Sequence, residues 1–314
     1  MRINIPKIIV TIASVVILIM IGVVIGINIK TNKDRPVFVM HSGGEWTLEQ
    51  GLEAEMIYNN FWSFARASYI LVGEIPDCQF YKIASEVERN DFDKESFYID
   101  DSGSFMYYHD ALGAPVTSVA IDVSAFQEYV DWEQVKASGV DVAIIRVGYR
   151  GYGSGEIVLD DMFESHIQEA IDADIRVGVY FYSQALNYEE GVEEANFVLN
   201  NIRNYNVTCP VVIDTEMVYD DAARTNELDN SARTDGVVGF CETVKAAGYT
   251  PMIYSNRNWY AQSLDMTRLG EYKLWLAHYA NQPDFPYMYT GWQYTDQGYI
   301  YGVEGPVDLN VWFE

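Results

Sequence analysis

Positive charge is scarce in this chain. It carries 20 Lys+Arg against 46 Asp+Glu, a formal charge of -26, which excludes nucleic-acid binding because that needs basic side chains to neutralise phosphates. An uncharged or cationic ligand is easier to hold. Cysteine is sparse too: Cys78, Cys209 and Cys241 cannot all pair, and their spacing fits no metal-binding pattern. They read as small apolar fillers. A further lack lies near the N-terminus, where Gly26-Ile27-Asn28-Ile29-Lys30 offers no A-x-A type cleavage site.

What stands there instead is an uncharged run of 20 residues from Ile8 to Ile27, rich in Ile and Val. As a helix it is long enough to cross a hydrocarbon core of about 30 Å. With no cleavage site it reads as an uncleaved anchor, so residues 1–35 are expected to be a short cytoplasmic tail and a single membrane helix over 8–29. Arg2 and Lys7 nearly balance Lys30, Lys33 and Arg35 across it. A long domain crosses a membrane largely regardless of its charge, so an outward-facing bulk is the expected orientation.

At 314 residues, 49% of them apolar, the chain can build one large domain and a smaller segment. Residues 36–115 read as the smaller one, a stalk of α+β character. Its helix is expected within Glu45–Ser68, where Leu48, Leu52, Met56, Ile57, Phe61 and Phe64 recur at helical spacing. A hairpin should follow, with Phe97-Tyr98-Ile99 and Phe105-Met106-Tyr107-Tyr108 flanking Asp100-Asp101-Ser102-Gly103. Its aromatics are read as structural rather than as a binding patch. Gly113-Ala114-Pro115 marks the boundary.

From residue 116 to 314 strands and helices alternate. Strands are predicted at 118–122, 142–147, 177–182, 211–216 and 252–255, and helices at 131–139, 161–172, 189–203, 231–247 and 258–264. Three more strands, at 274–277, 290–294 and 307–312, follow without room for crossover helices. The pattern predicts an irregular (β/α)-barrel of five β/α units and three further strands.

In such barrels the chemistry sits at the carboxyl ends of the strands. Asp214 and Glu216 end the strand P-V-V-I-D-T-E, two residues apart and therefore on one face. Two acids side by side are costly to bury. Taken alone, D-x-E is either a wet strand end or a general acid beside a partner that stays charged. Asp122 ends the first strand and Asp308 lies within the last, which a closed barrel places beside the first. Acids from three strands converging on one rim favour the catalytic reading. Tyr180, Tyr182, Tyr254 and Trp292 could offer platforms for sugar rings, while Arg146 ends the second strand and could offset the acids.

Several ordered blocks run along this region: I-D-V-S-A-F-Q (121–127) with D-W-E-Q-V (131–135), I-I-R-V-G-Y (144–149), V-G-V-Y-F-Y (177–182) and D-T-E (214–216). They continue through P-M-I-Y (251–254), L-W-L-A-H-Y (274–279), W-Q-Y (292–294) and V-D-L-N (307–310). In these blocks the chain resembles the family 25 glycoside hydrolases. The resemblance implies a muramidase that cuts the β-1,4 bond between N-acetylmuramic acid and N-acetylglucosamine in peptidoglycan. By the same resemblance Glu216 is the general acid, Asp214 its partner, Asp122 and Asp308 the other site acids, and Tyr180, Trp292 and Gln293 substrate contacts. Phe181 departs from a histidine common in the family; alternation turns it away from Tyr180. No metal or cofactor is needed. The expected partners are glycan strands and, through the anchor, the cell membrane, with the catalytic domain outside and facing the wall. A non-cleaving wall-binding module and a chitinase-like hydrolase are the rival readings.

Overall fold

The structure is a computed structural model that describes residues 67–74, 77–101, 103 and 105–313, together with the strand Val37–Val39. The expected membrane helix at 8–29 and the amphipathic helix in 45–68 lie outside the described residues, apart from the last two of the latter. Among the described residues no helix is long and apolar enough to cross a membrane. The chain divides into two compact units, Met1–Ala84 and Ser85–Glu314. In the first, β1 (Val37–Val39), β2 (Tyr69–Glu74) and β3 (Asp77–Lys82) form an antiparallel sheet in the order β1-β3-β2.

The second unit opens with the hairpin β4 (Phe97–Ile99) and β5 (Met106–Tyr108), paired antiparallel as the sequence suggests. The eight barrel strands are β6 (Thr117–Val123), β7 (Val142–Arg150), β9 (Arg176–Tyr182), β10 (Val207–Asp214), β11 (Pro251–Asn256), β12 (Lys273–Ala277), β13 (Gly291–Gly298) and β14 (Val307–Phe313). The short β8 (Ile157–Leu159), absent from the sequence expectation, pairs with the end of β7. Pairings β6–β7 and β14–β6 close the ring. Neighbours run parallel from β6 through β7 to β13, but β14 is antiparallel to both β13 and β6. Its amino end therefore sits at the rim where the other strands end.

Helices α1 (Trp132–Ala137), α2 (Phe163–Asp172), α3 (Tyr188–Ile202), α4 (Asn230–Ala246) and α5 (Arg257–Gln262) follow the first five barrel strands in order. Most start on a side-chain cap: Asp131, Asn187, Asp229 and Asn256 each accept from a backbone N–H of the first turn, satisfying a donor with no helical partner. The pair α3 and α4 meets at Gly191 and Gly236, where a Cβ on Gly191 would come within 2.0 Å of the Gly236 carbonyl oxygen. Only glycine permits that approach.

Residues 85–115 share this compact unit. Phe92 stacks on Phe313 at 4.4 Å, and Phe97 meets Trp292 edge-on at 5.0 Å. The hairpin thus covers outward side chains of β13 and β14, a strand pair with no crossover helix of its own.

Candidate active site

Alternate residues of each barrel strand face inward. Deep in the barrel these are apolar, with Ala120, Val142, Ile144, Val212, Met252 and Trp312 in one buried cluster. Two residues nearer the rim the same strands carry Asp122, Arg146, Asp214 and Tyr254. The switch from filler to functional group is one alternation wide.

Asp122 faces Asp308 across the β6–β14 ladder. It accepts from Asn310 Nδ2 at 2.8 Å and from Gln293 Nε2 at 3.0 Å. Those amides are themselves held: Trp275 Nε1 donates to Asn310 Oδ1 at 2.7 Å, and the Tyr254 and Tyr279 hydroxyls donate to Gln293 Oε1 at 2.8 and 2.9 Å. Asp122 is raised on balance, because burial outweighs the hydrogen bonds from Asp308, Asn310 and Gln293 that pull it down. Asp308 is pushed up to about 9 by burial and by the charge of Asp122. Asp308 thus holds the proton of this pair and donates it to a charged Asp122.

Asp214 is the last residue of β10, and the chain beyond it stays extended. Thr215 N–H donates to Tyr254 O at 3.1 Å, Ser255 Oγ donates to Thr215 O at 2.7 Å, and Trp259 Nε1 donates to Thr215 Oγ1 at 3.2 Å. With Thr215 pinned outward, Glu216 returns to the face of Asp214. Asp214 is buried, and its Oδ1 has no hydrogen-bond partner among the described residues. Burial, then the Glu216 charge, push it well above the carboxylate range. Glu216 is pushed up to about 7, by burial first and then by Asp122. Asp214 is the deeper acid and competes with Glu216 for a proton, while Asp122 adds a further negative charge that favours the protonated form of Glu216.

These groups line a cleft of about 640 Å³ that reaches Tyr180, Tyr182, Tyr254, Arg146 and Gln293. Arg146 Nε is paired with buried Asp160 at 2.6 Å, and its guanidinium lies over the rings of Phe126 and Tyr149 at 5.1 and 5.6 Å. Arg146 still lowers Asp214, against the larger upward effects of burial and neighbouring acids. Tyr180 packs edge-on to Trp275 at 6.5 Å. Phe181 is fully buried on the outer face against Phe197, as alternation predicts.

One expected contact lies elsewhere. Trp292 is fully buried, its Nε1 donates to His278 O at 2.8 Å, and it packs against Phe97 rather than lining the cleft. Its neighbour Gln293 points inward, so Trp292 must point outward. The tryptophan of the cleft is Trp275. Trp275, Tyr279, Phe126 and Asn310 were not singled out from sequence. Asn310 stands two residues after Asp308, and that i, i+2 step on one strand was the available signal.

The sequence profile described as glycosyl hydrolases family 25 matches residues 121–303, more than half of the chain. The autolytic lysozyme of Clostridium acetobutylicum is 27% identical over 195 residues, covering 62% of this chain and 55% of that protein. The chain thus spans about half the length of that relative. Among solved structures, the modular autolysin LytC from Streptococcus pneumoniae superposes with a TM-score of 0.56 at 25% identity, over 78% of this chain and 56% of that one. A family 25 glycosyl hydrolase from Bacillus anthracis superposes with a TM-score of 0.54 at 22% identity, over 66% and 93%. Profile, relatives and fold agree on the same barrel, and this chain belongs to the glycosyl hydrolases family 25.

Proposed function

We propose that this protein is a muramidase that hydrolyses the β-1,4 bond between N-acetylmuramic acid and N-acetylglucosamine in peptidoglycan. The observation that carries the reading is a cleft in which Glu216 stands beside a deeper acid, Asp214, whose Oδ1 has no hydrogen-bond partner among the described residues, and burial pushes Glu216 up to about 7. Glu216 donates its proton to the glycosidic oxygen as the bond from that oxygen to C1 breaks. The carbonyl oxygen of the substrate's 2-acetamido group bonds to C1, and its N–H turns to Asp214 Oδ1, a partner that favours the Asp214 anion. Water then attacks C1, returns a proton to Glu216 and reopens the acetamido ring. Both acids approach from the end of one strand, which suits this route better than direct attack by Asp214 from the opposite sugar face.

Lysozyme relatives support the substrate class, and LytC has been solved in complex with a synthetic peptidoglycan ligand. Clearing of a wall suspension tests the proposal. Glu216→Gln should abolish clearing while circular dichroism and melting stay unchanged, and the parent's product should carry muramic acid at its new reducing end. Glucosamine there, or equal clearing by the variant, would overturn it.

We further propose that the run from Ile8 to Ile27 anchors the protein in the cell membrane with its catalytic unit outside, for remodelling of nearby wall. Activity should sediment with membranes. Recovery of most of it in the medium as a species starting near residue 30 would contradict the anchor.

A further inference from the structure

We propose that Trp275 is a positioning residue: its indole N–H fixes the Asn310 amide so that the Nδ2 group must face Asp122, and thereby keeps Asp122 the charged acid of the site. This deepens the muramidase reading and rests on it for its kinetic consequence. An indole nitrogen can only donate, whereas an amide has one accepting and one donating end. Trp275 Nε1 lies 2.7 Å from Oδ1 of Asn310, and Nδ2 of Asn310 lies 2.8 Å from Asp122 Oδ2. Trp275 and Asn310 are essentially inaccessible to solvent. A flipped amide would aim its carbonyl oxygen at a carboxylate and strand the indole N–H, and water cannot offset either loss.

The consequence travels to the acid that donates. Asp122 is the charge, after burial itself, that holds the proton on Glu216. The other titratable groups around Asp122 pull in both directions. Asp308 on β14 donates to it, while Asp214 and Glu216 from the end of β10 repel it. Arg146 on β7 is the cation at the site, already paired with Asp160. The Tyr180, Tyr254 and Tyr279 hydroxyls stay neutral, because burial raises all three. Asn310 is one of three donors, with Asp308 and Gln293, that favour the Asp122 charge against these acids, and it is the one whose orientation Trp275 sets.

Trp275→Phe keeps an aromatic ring and removes the N–H. Without the indole donor the accepting end of the Asn310 amide is left unpartnered and its Nδ2 is held only by Asp122 and the Ala120 carbonyl, so its grip on Asp122 loosens, Asp122 takes up a proton more readily and Glu216 gives its own up at lower pH. The alkaline limb of kcat/KM should move down by about one pH unit. A purely structural defect would lower the profile at every pH without moving that limb. In an Asn310→Leu background the same substitution should shift nothing further, because the indole acts through the amide. A readout free of turnover is the carboxyl carbon resonance of Asp122, followed by NMR in the Glu216→Gln protein, where Trp275→Phe should move its titration upward. Unmoved limb and unmoved titration would overturn the proposal. A moved titration in a protein that never cleaves peptidoglycan would instead leave the positioning intact and sink the muramidase. Should Trp275→Phe not fold, Asn310→Leu alone must give the same two shifts or the proposal fails.

Discussion

Asp308 stands opposite Asp122 across the antiparallel β14–β6 ladder and gives it a hydrogen bond, so two acids from adjacent strands share one proton. This arrangement depends on strand direction. Were β14 parallel to β6, the amino end of the strand, and Asp308 with it, would lie at the opposite mouth of the barrel. Because β14 runs backward, Asp308 reaches the same rim as Asp122, Asp214 and Glu216.

The two members of the pair should respond differently to amide substitution. Asp308 acts as a neutral donor, and an asparagine there can still donate to Asp122. Asp308→Asn should keep wall clearing within about tenfold of the parent, while Asp122→Asn removes the fixed charge and should lower it by about 100-fold or more. Equal losses in the two variants, measured at matched folded concentration, would show that the proton sits elsewhere.

Stability should respond to the same proton. Asp308 has a raised pKa in the folded state, about 9 against an ordinary carboxyl near 4. Below about pH 4 both states are protonated and its contribution is fully present. As pH rises from there toward 9, the unfolded chain releases the proton that the folded chain retains, and that contribution is lost. Asp308→Asn removes this dependence. Its melting temperature relative to the parent should therefore rise steadily between pH 5 and 9, and scanning calorimetry across that range showing a constant difference would contradict the assignment.

Activity carries a second pH signature. Glu216 must be protonated to donate and loses its proton near pH 7. kcat/KM should fall above that point by about tenfold per pH unit. A profile that stays level to pH 9 would remove Glu216 as the donor.

The barrel was legible in the sequence because alternation is a local property: each of the eight strands, and the i, i+2 placing of Asp214 and Glu216, shows in a few consecutive residues. What escaped depended on partners far along the chain. The reversal of β14 is set by how the closing loops route it, and no residue within Val307–Phe313 encodes a direction. The influence of Asp122 on Glu216 escaped for a related reason. From the sequence Asp214 is Glu216's nearest acid, yet the barrel brings Asp122, 94 positions away, into the same cleft. The tryptophans were ambiguous because both faces of β12 and β13 are covered. Trp275 points into the barrel and Trp292 points out under Phe97, so apolar character cannot tell the faces apart.

That ambiguity yields a further prediction. If Trp292 held sugar, its removal would raise KM and leave the fold intact. Instead it is fully enclosed between β13 and residues of the β4–β5 hairpin, with its one donor used on the His278 carbonyl. Trp292→Ala leaves a large cavity and should cost about 3–5 kcal/mol of stability. Trp292→Phe loses less volume and one hydrogen bond, and should cost about 1–2 kcal/mol. Neither substitution touches a group that lines the cleft, so kcat/KM per folded molecule should stay at the parent value for Trp292→Phe in chemical denaturation and clearing assays run side by side. A raised KM at unchanged stability would return this residue to the substrate, and with it the hairpin to the rim of the active site.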